Sequence, residues 1–139
     1  MDKLAYMPTT APFEIGAGKF KGEFAISYRD EHGLTQTHFP FVSPDVAWKY
    51  AMSLHAKQYK IPLQKISLSN LRLGDLVLNA DYALIQITEL PAPRQNIMNE
   101  TYYSAVGVFA RELPRPGIQI LLKGGSCFAV PETIEDYVS

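Results

Sequence analysis

The glycine-rich segment EIGAGKFKG, residues 14–22, is the first part of the chain whose residue types could do chemistry. Glycines followed by a lysine are typical of loops that hold nucleotide phosphates, because backbone N–H groups and an ammonium group can surround the anion. The phosphate-loop pattern GxxxxGK[ST] needs glycine at position 13 and a hydroxyl at position 20, and both positions hold phenylalanine. The dinucleotide pattern GxGxxG matches Gly16 and Gly18 but fails at Lys21. We therefore predict no nucleotide cofactor, and we interpret the segment as a flexible entry into a strand, with Gly22 easing a bulge.

The other residues that could act as nucleophiles or metal ligands are isolated in the sequence. The three histidines, at positions 32, 38 and 55, show no HExxH spacing, and the chain has one cysteine, so we predict no metal site. Neither a helix start nor a histidine lies near Cys127 in the sequence, which favours a core cysteine over a nucleophile. We predict no catalytic residue and no cofactor, and we interpret the protein as non-enzymatic.

Basic residues are concentrated in one part of the chain. Residues 46–73 hold five basic residues and no acidic residue, whereas residues 73–139 hold four basic and eight acidic residues. Such a cluster indicates either a solvated helix face or a surface that contacts phosphates or an acidic protein. If the protein binds nucleic acid, its backbone contacts are expected from Lys49, Lys57, Lys60, Lys65 and Arg72.

A helix is predicted at about residues 44–59. Ser43 is a typical N-cap, Pro44 suits the first helical position, and Asp45 suits the positive end of the helix dipole. The helix has two apolar stripes where a surface helix usually has one, which indicates contacts on two sides. We predict that the stripe buried against the helix's own hairpin consists of Ala47, Tyr50, Ala51 and Leu54, whereas the second consists of Trp48, Met52, His55 and Tyr59.

Aromatic residues and methionine outside the predicted core face favour a protein–protein interface, where Tyr, Trp and Met are enriched. Two adjacent tyrosines in a predicted strand face opposite sides of the sheet, so one of them is expected to be exposed or at an interface. The candidate partner-binding residues are Trp48, Met52, Tyr59, Tyr102 and Tyr103. The partner is expected to be another protein or a second copy of the chain, in a homodimer or a larger homo-oligomer. An alternative is that the second half of the chain buries Trp48 internally.

The elements around these residues predict an α+β fold. Alternation of apolar and polar residues predicts a β-hairpin at 20–39, and strands near 65–69, 74–79, 82–90, 101–112, 117–123 and 127–131. A loop is expected at 91–100, and a helical turn at 132–137. We predict a hairpin–helix subdomain at 1–62, packed on a small antiparallel β-barrel or strongly bent sheet at 63–139.

Two segments resemble known small domains. The second half, through LRLGDLVL and GGSCFAVPETIEDYV, resembles an SH3-like barrel. The hairpin and helix of the first half are similar to the small modules that bind DNA in recombinase arms.

Length and composition are those of a folded domain. The chain has 139 residues, of which 47% are hydrophobic and 19% are charged, and its formal net charge is −1. The first residues have no long apolar run, and one cysteine cannot form an internal disulfide. We expect a cytoplasmic protein that does not associate with a membrane.

Overall fold

The computed structural model describes residues 7–9, 11–30 and 32–131, which are divided into two compact units. The first unit holds the described residues up to Ile61, together with Pro131, and the second unit is Pro62–Val130. The described residues have an α+β architecture with two antiparallel sheets and one α-helix, as predicted. The helical turn predicted at 132–137 lies outside the described residues.

The first unit contains a sheet centred on one strand of the predicted hairpin. Its strands are β1 (Met7–Pro8), β2 (Phe13–Glu14), β3 (Phe24–Arg29) and β4 (Thr35–Phe41). β3 pairs antiparallel with each of the other three strands. In the turn between β3 and β4, the side chain of Asp30 accepts hydrogen bonds from the backbone N–H groups of His32 and Leu34. Gly33 takes a φ of 80°, the left-handed conformation expected for this hairpin turn.

The helix α1 (Pro44–Gln58) begins where its sequence signals predict. The Ser43 hydroxyl accepts a hydrogen bond from the Val46 N–H at 3.2 Å, which satisfies one of the unpaired donors of the first turn. Of the face predicted to be buried, Ala47 and Ala51 are fully buried, but Tyr50 and Leu54 are half-buried.

The second unit is built on a sheet of four strands in chain order, which curls into a half-barrel. Its strands are β5 (Leu76–Leu78), β6 (Leu84–Gln95), β7 (Thr101–Phe109) and β8 (Gln119–Lys123). Phe128 extends the sheet beyond β5 through bridges to Leu78 and Lys65. The buried cluster inside the curl consists of Leu68, Leu71, Val77, Ile85, Ile87, Ala105, Leu122 and Cys127.

The loop predicted at 91–100 is wrong, because β6 continues through Pro91 and Pro93 to Gln95. β5 pairs only with residues 84–86 of β6, so residues 91–95 have a strand partner on one side, β7. A strand position with one open side tolerates the missing N–H of proline. The turn between β6 and β7 is therefore shorter than the predicted loop. It is closed by a hydrogen bond from the N–H of Asn96 to the carbonyl of Glu100, 3.1 Å long.

The predicted strand at 65–69 is also wrong over most of its length. Lys65 makes an isolated bridge, and Leu68–Asn70 form a 3-10 helix. The Ser67 hydroxyl accepts a hydrogen bond from the Ser69 N–H at 3.3 Å and so caps this turn. Hydrogen bonds from serine side chains to nearby backbone groups compete with strand pairing. This competition explains why the segment is not a strand although its apolar residues alternate.

We expect Gly107→Ala to destabilise the second unit. A Cβ atom at this position would lie 2.5 Å from Cγ2 of Ile85 and 2.6 Å from the carbonyl oxygen of Gln86. Relieving such overlap between β6 and β7 costs typically about 1–3 kcal/mol. Urea unfolding measures the loss of stability. Gly125→Ala is the control, because a Cβ atom at that position would have no atom within 4 Å other than those of its chain neighbours. Equal midpoints for the two variants would contradict the close approach of these strands.

We expect Met52→Ala to destabilise the protein more than Leu54→Ala does. Met52 is 1% exposed, whereas Leu54 is half-buried. Truncating a fully buried methionine to alanine costs roughly 2–5 kcal/mol, because it removes apolar contacts and leaves a cavity. Thermal unfolding of the two variants measures the difference. A larger loss of thermal stability for Leu54→Ala would instead support the buried face predicted from the sequence.

Candidate functional site

The candidate site is a groove of about 990 Å³ in the second unit. Four segments that are distant in the sequence form its walls. They contribute Lys65, Ile66, Ser67, Leu68, Ser69 and Leu71 from the turn before β5, Leu90 and Pro91 from β6, Tyr102 and Tyr103 from β7, and Lys123 and Gly124 from the end of β8.

The pairing of β7 with β6 and β8 positions the aromatic wall of the groove. Tyr103 lies opposite Pro93 of β6, and Ser104 lies opposite Lys123 of β8. Tyr102 and Ser104 are two residues apart on one strand, so their side chains point to the same face. Lys123 therefore reaches Tyr102, and its ammonium group lies 4.8 Å from the centre of the ring. This cation–π contact holds a positive charge at the groove wall.

The floor of the groove is continuous with the core of the unit. Leu68 and Leu71 are buried members of the core cluster and also line the groove. The hydroxyls of Ser67 and Ser69 lie 2.7 Å apart beside them, at an exposed position. Because the floor is part of a packed core, the groove is formed before any ligand arrives.

The lining chemistry suits binding. Its polar groups are two phenols, two serine hydroxyls and two ammonium groups, and none of the described lining residues has a carboxylate. Apolar side chains form most of the rest, which is the usual composition of a ligand-binding cleft. The groove is therefore suited to an apolar ligand that brings a negative charge.

The candidate partner-binding residues lie in both units. Tyr102 is half-buried, Tyr103 is 61% exposed, and both line the groove. The other three belong to the first unit, where Trp48 is half-buried, Tyr59 is exposed at the end of α1, and Met52 is buried. A partner therefore cannot reach the side chain of Met52 in the folded protein.

The five basic residues predicted for nucleic-acid contact are likewise divided between the units. Lys57 and Lys60 are exposed near the end of α1, whereas Lys49 makes an ion pair with Asp45 at 3.5 Å. In the second unit, Lys65 lines the groove and Arg72 is exposed in the turn before β5.

Most of the groove residues carry no signal in the sequence that marks them as a site. Lys123 was not singled out, although the Gly-Gly pair after it marks a turn at the end of an apolar strand. Leu68, Leu71 and Leu90 have the pattern of ordinary core residues, and their place at the groove depends on strand pairing that the sequence does not reveal.

The glycine-rich segment forms the loop of a hairpin between β2 and β3. Its backbone groups bond within the loop, because Gly22 N–H donates to Ile15 O at 2.9 Å and Lys21 N–H donates to Gly18 O at 3.2 Å. Gly18 and Gly22 take φ values of 84° and 89°, which explains why glycine occupies both positions. A strand follows the loop, whereas both nucleotide-binding motifs require a helix there.

Two further features of the described residues limit the kinds of site that they contain. No group of three or more His, Cys, Asp or Glu side chains in the described part of the chain is arranged to hold a metal ion. Within the same residues, every helix is too short or too polar to cross a membrane.

Comparison with known proteins does not identify a relative. No protein family, curated protein or solved structure matches the chain. Function is therefore inferred from the groove and its lining residues.

Cys127 is fully buried in the core cluster of the second unit, as the sequence predicts. Burial raises the pKa of its thiol from 9.0 to about 11, because the apolar surroundings disfavour the thiolate. A nucleophilic cysteine needs the opposite shift, which argues against a catalytic role.

This buried thiol predicts how stability depends on pH. From pH 9.0 to about 11 the unfolded chain loses the Cys127 proton while the folded chain keeps it. The contribution of the thiol is therefore complete below pH 9.0 and is lost as the pH rises to about 11. We expect urea midpoints to fall more steeply over this range for the wild type than for Cys127→Ala, in which the thiol is absent. Parallel curves would contradict the shifted pKa.

Proposed function

We propose that this protein is a non-enzymatic interaction module that binds a segment of a partner protein in the groove of its second unit. The observation that supports this most is Tyr103, which is 61% exposed on the groove wall. Tyrosine is enriched at the residues that dominate binding energy in protein interfaces, because a rigid ring buries a large area at low entropic cost.

Exposed apolar groups around Tyr103 support the same proposal. Leu90 is an exposed leucine on the neighbouring strand, and Pro91 follows it in the lining. Covering these groups with a partner removes apolar surface from water, at roughly 25 cal/mol per Å² before the costs of association. Leu68 and Leu71 keep the floor fixed, so little of this free energy is needed to order the site.

A second copy of the chain is one partner that the proposal includes. Trp48 on α1 and Tyr59, which follows the last residue of α1, are candidate residues for self-association, because both retain exposed surface. For the second unit we propose an SH3-like barrel as the closest architecture, since its sheet is small, antiparallel and strongly curled.

A nucleic-acid-binding accessory protein is the alternative function, and it has less support. Its predicted surface depends on the lysines of α1, of which Lys49 already pairs with Asp45. The formal net charge of −1 also gives no long-range attraction for a polyanion.

We expect Tyr103→Ser to weaken partner binding by at least about tenfold, as is usual for an anchoring tyrosine. A displayed library of random peptides, selected against the wild-type protein, supplies the ligands. Fluorescence anisotropy then measures the affinity of labelled peptides for each variant. Because Tyr103 is largely exposed, the thermal midpoint of the variant should stay close to that of the wild type.

Phe13→Ser is the control, because Phe13 is an aromatic residue of the first unit that is 44% exposed and is not among the candidate partner-binding residues. It should leave peptide affinity unchanged. Equal losses for the two variants would show that the selected peptides do not bind in the groove, and failure to select any peptide would oppose the proposed function.

A further inference from the structure

We propose, building on the proposed function, that the partner segment is an extended acidic peptide. It adds to the outer edge of β8 and places a carboxylate against Lys123 and Lys65. Three observations support this chemistry: the edge of β8, the apolar side chains along it, and the charge of the groove lining.

β8 is the last strand of its sheet, and its outer edge has no strand partner among residues 7–9, 11–30 and 32–131. Lys123 directs its backbone groups away from β7, since its N–H donates to the Ser126 hydroxyl at 3.2 Å and its carbonyl accepts from the Ser126 N–H at 2.8 Å. Backbone groups alternate along an antiparallel strand, so Leu121 and Gln119 also direct theirs outward. The outward groups of Lys123 are therefore already bonded to Ser126, whereas those of Leu121 and Gln119 can form a ladder with an added strand.

The side chains along this edge are unusually apolar for a surface. Leu121 is 45% exposed, and Ile118, just before β8, is 63% exposed. An unpaired strand with exposed apolar side chains is the surface that peptide-binding domains use for strand addition. A bound strand would satisfy the backbone groups and could place its own side chains against Leu121.

The charge of the groove determines which peptide is favoured. Lys123 ends β8 and lines the groove, and Lys65 is a second basic residue of the same lining. A strand that pairs with Gln119 and Leu121 ends beside Lys123, where an opposite charge on the peptide is favourable. Since none of the described lining residues has a carboxylate, an acidic side chain meets attraction there, and a basic side chain meets repulsion.

A single-stranded nucleic acid could also use lysines and tyrosines, through phosphate contacts and base stacking. It has no regular series of N–H and C=O groups to pair with the edge of β8. The apolar contacts offered by Leu68, Leu71 and Leu90 also favour a peptide.

Two displayed peptide libraries test the proposal, one with aspartate fixed at the central position and one with asparagine there. The wild-type protein should enrich binders mainly from the aspartate library. For these peptides, K65E and K123E should each lower affinity by at least about tenfold, because a carboxylate would then face a carboxylate. K21E is the charge-matched control, since Lys21 is exposed in the first unit, and it should have no effect.

N-methylation tests the strand ladder separately. A selected peptide is made in two forms, one methylated on its odd-numbered backbone nitrogens and one on its even-numbered backbone nitrogens. One form should lose binding, and the other should bind nearly as well as the unmethylated peptide. This pattern distinguishes strand addition from contacts made only by side chains. Binding that survives in both methylated forms would overturn the proposed edge.

The outcomes separate this inference from the proposed function. Equal enrichment from both libraries would overturn the acidic preference, whereas the groove would remain a peptide site. If neither library gives binders that depend on Tyr103, both proposals fail. Binding of a labelled oligothymidine that is lost in K65E and K123E, without any peptide binding, would overturn both in favour of nucleic acid. Circular dichroism verifies the fold of each variant, and K123Q replaces K123E if the latter unfolds.

Discussion

The antiparallel pairing of β6 with β7 determines the shape of the second unit and the position of its groove. The two strands pair from Ile85 opposite Phe109 to Gln95 opposite Thr101, with register shifts near Glu89. Glycine at position 107 lets the backbones approach beside Ile85, because no Cβ lies between them. Register shifts increase the local bend and twist of a strand pair, and a bent pair can curl around a core.

The groove follows from this curl. β7 continues past the end of β5 and presents Tyr102 and Tyr103 where β6 has its prolines. The turn before β5 closes the opposite wall, with Leu68 and Leu71 packed into the core cluster. The same apolar contacts therefore stabilise the unit and shape the surface that we propose as a binding site. Preformed sites of this kind lose less entropy on binding than flexible loops do.

The chemical groups near the groove fit the binding function that we propose. Lys123, held over Tyr102, supplies a charge, and Tyr103 supplies an exposed ring. Cys127 lies in the same unit, but burial raises the pKa of its thiol to about 11, the opposite of what a nucleophile needs. At the site that we propose, binding would depend on apolar area, backbone pairing and a small number of charges.

The sequence by itself determined the elements whose signals are local. Ser43, Pro44 and Asp45 specify the start of α1 through capping and the helix dipole, and alternation with a turn at Gly33 specifies the hairpin of β3 and β4. These interactions join residues a few positions apart, so they are readable in a short window of sequence. Tyr102 and Tyr103 also became candidate residues through a local pattern, because adjacent residues of a strand face opposite sides of the sheet.

Tertiary structure decided the rest, because pairing between distant segments determines which side chains become buried. The prolines at 91 and 93 have the appearance of loop residues, yet they lie in β6, where β5 no longer pairs. Met52 is buried although it lies on the second apolar stripe, and Leu54 is only half-buried. The groove brings together Lys65, Leu90, Tyr103 and Lys123. Their proximity arises from strand order and register, which depend on long-range packing and not on any local pattern.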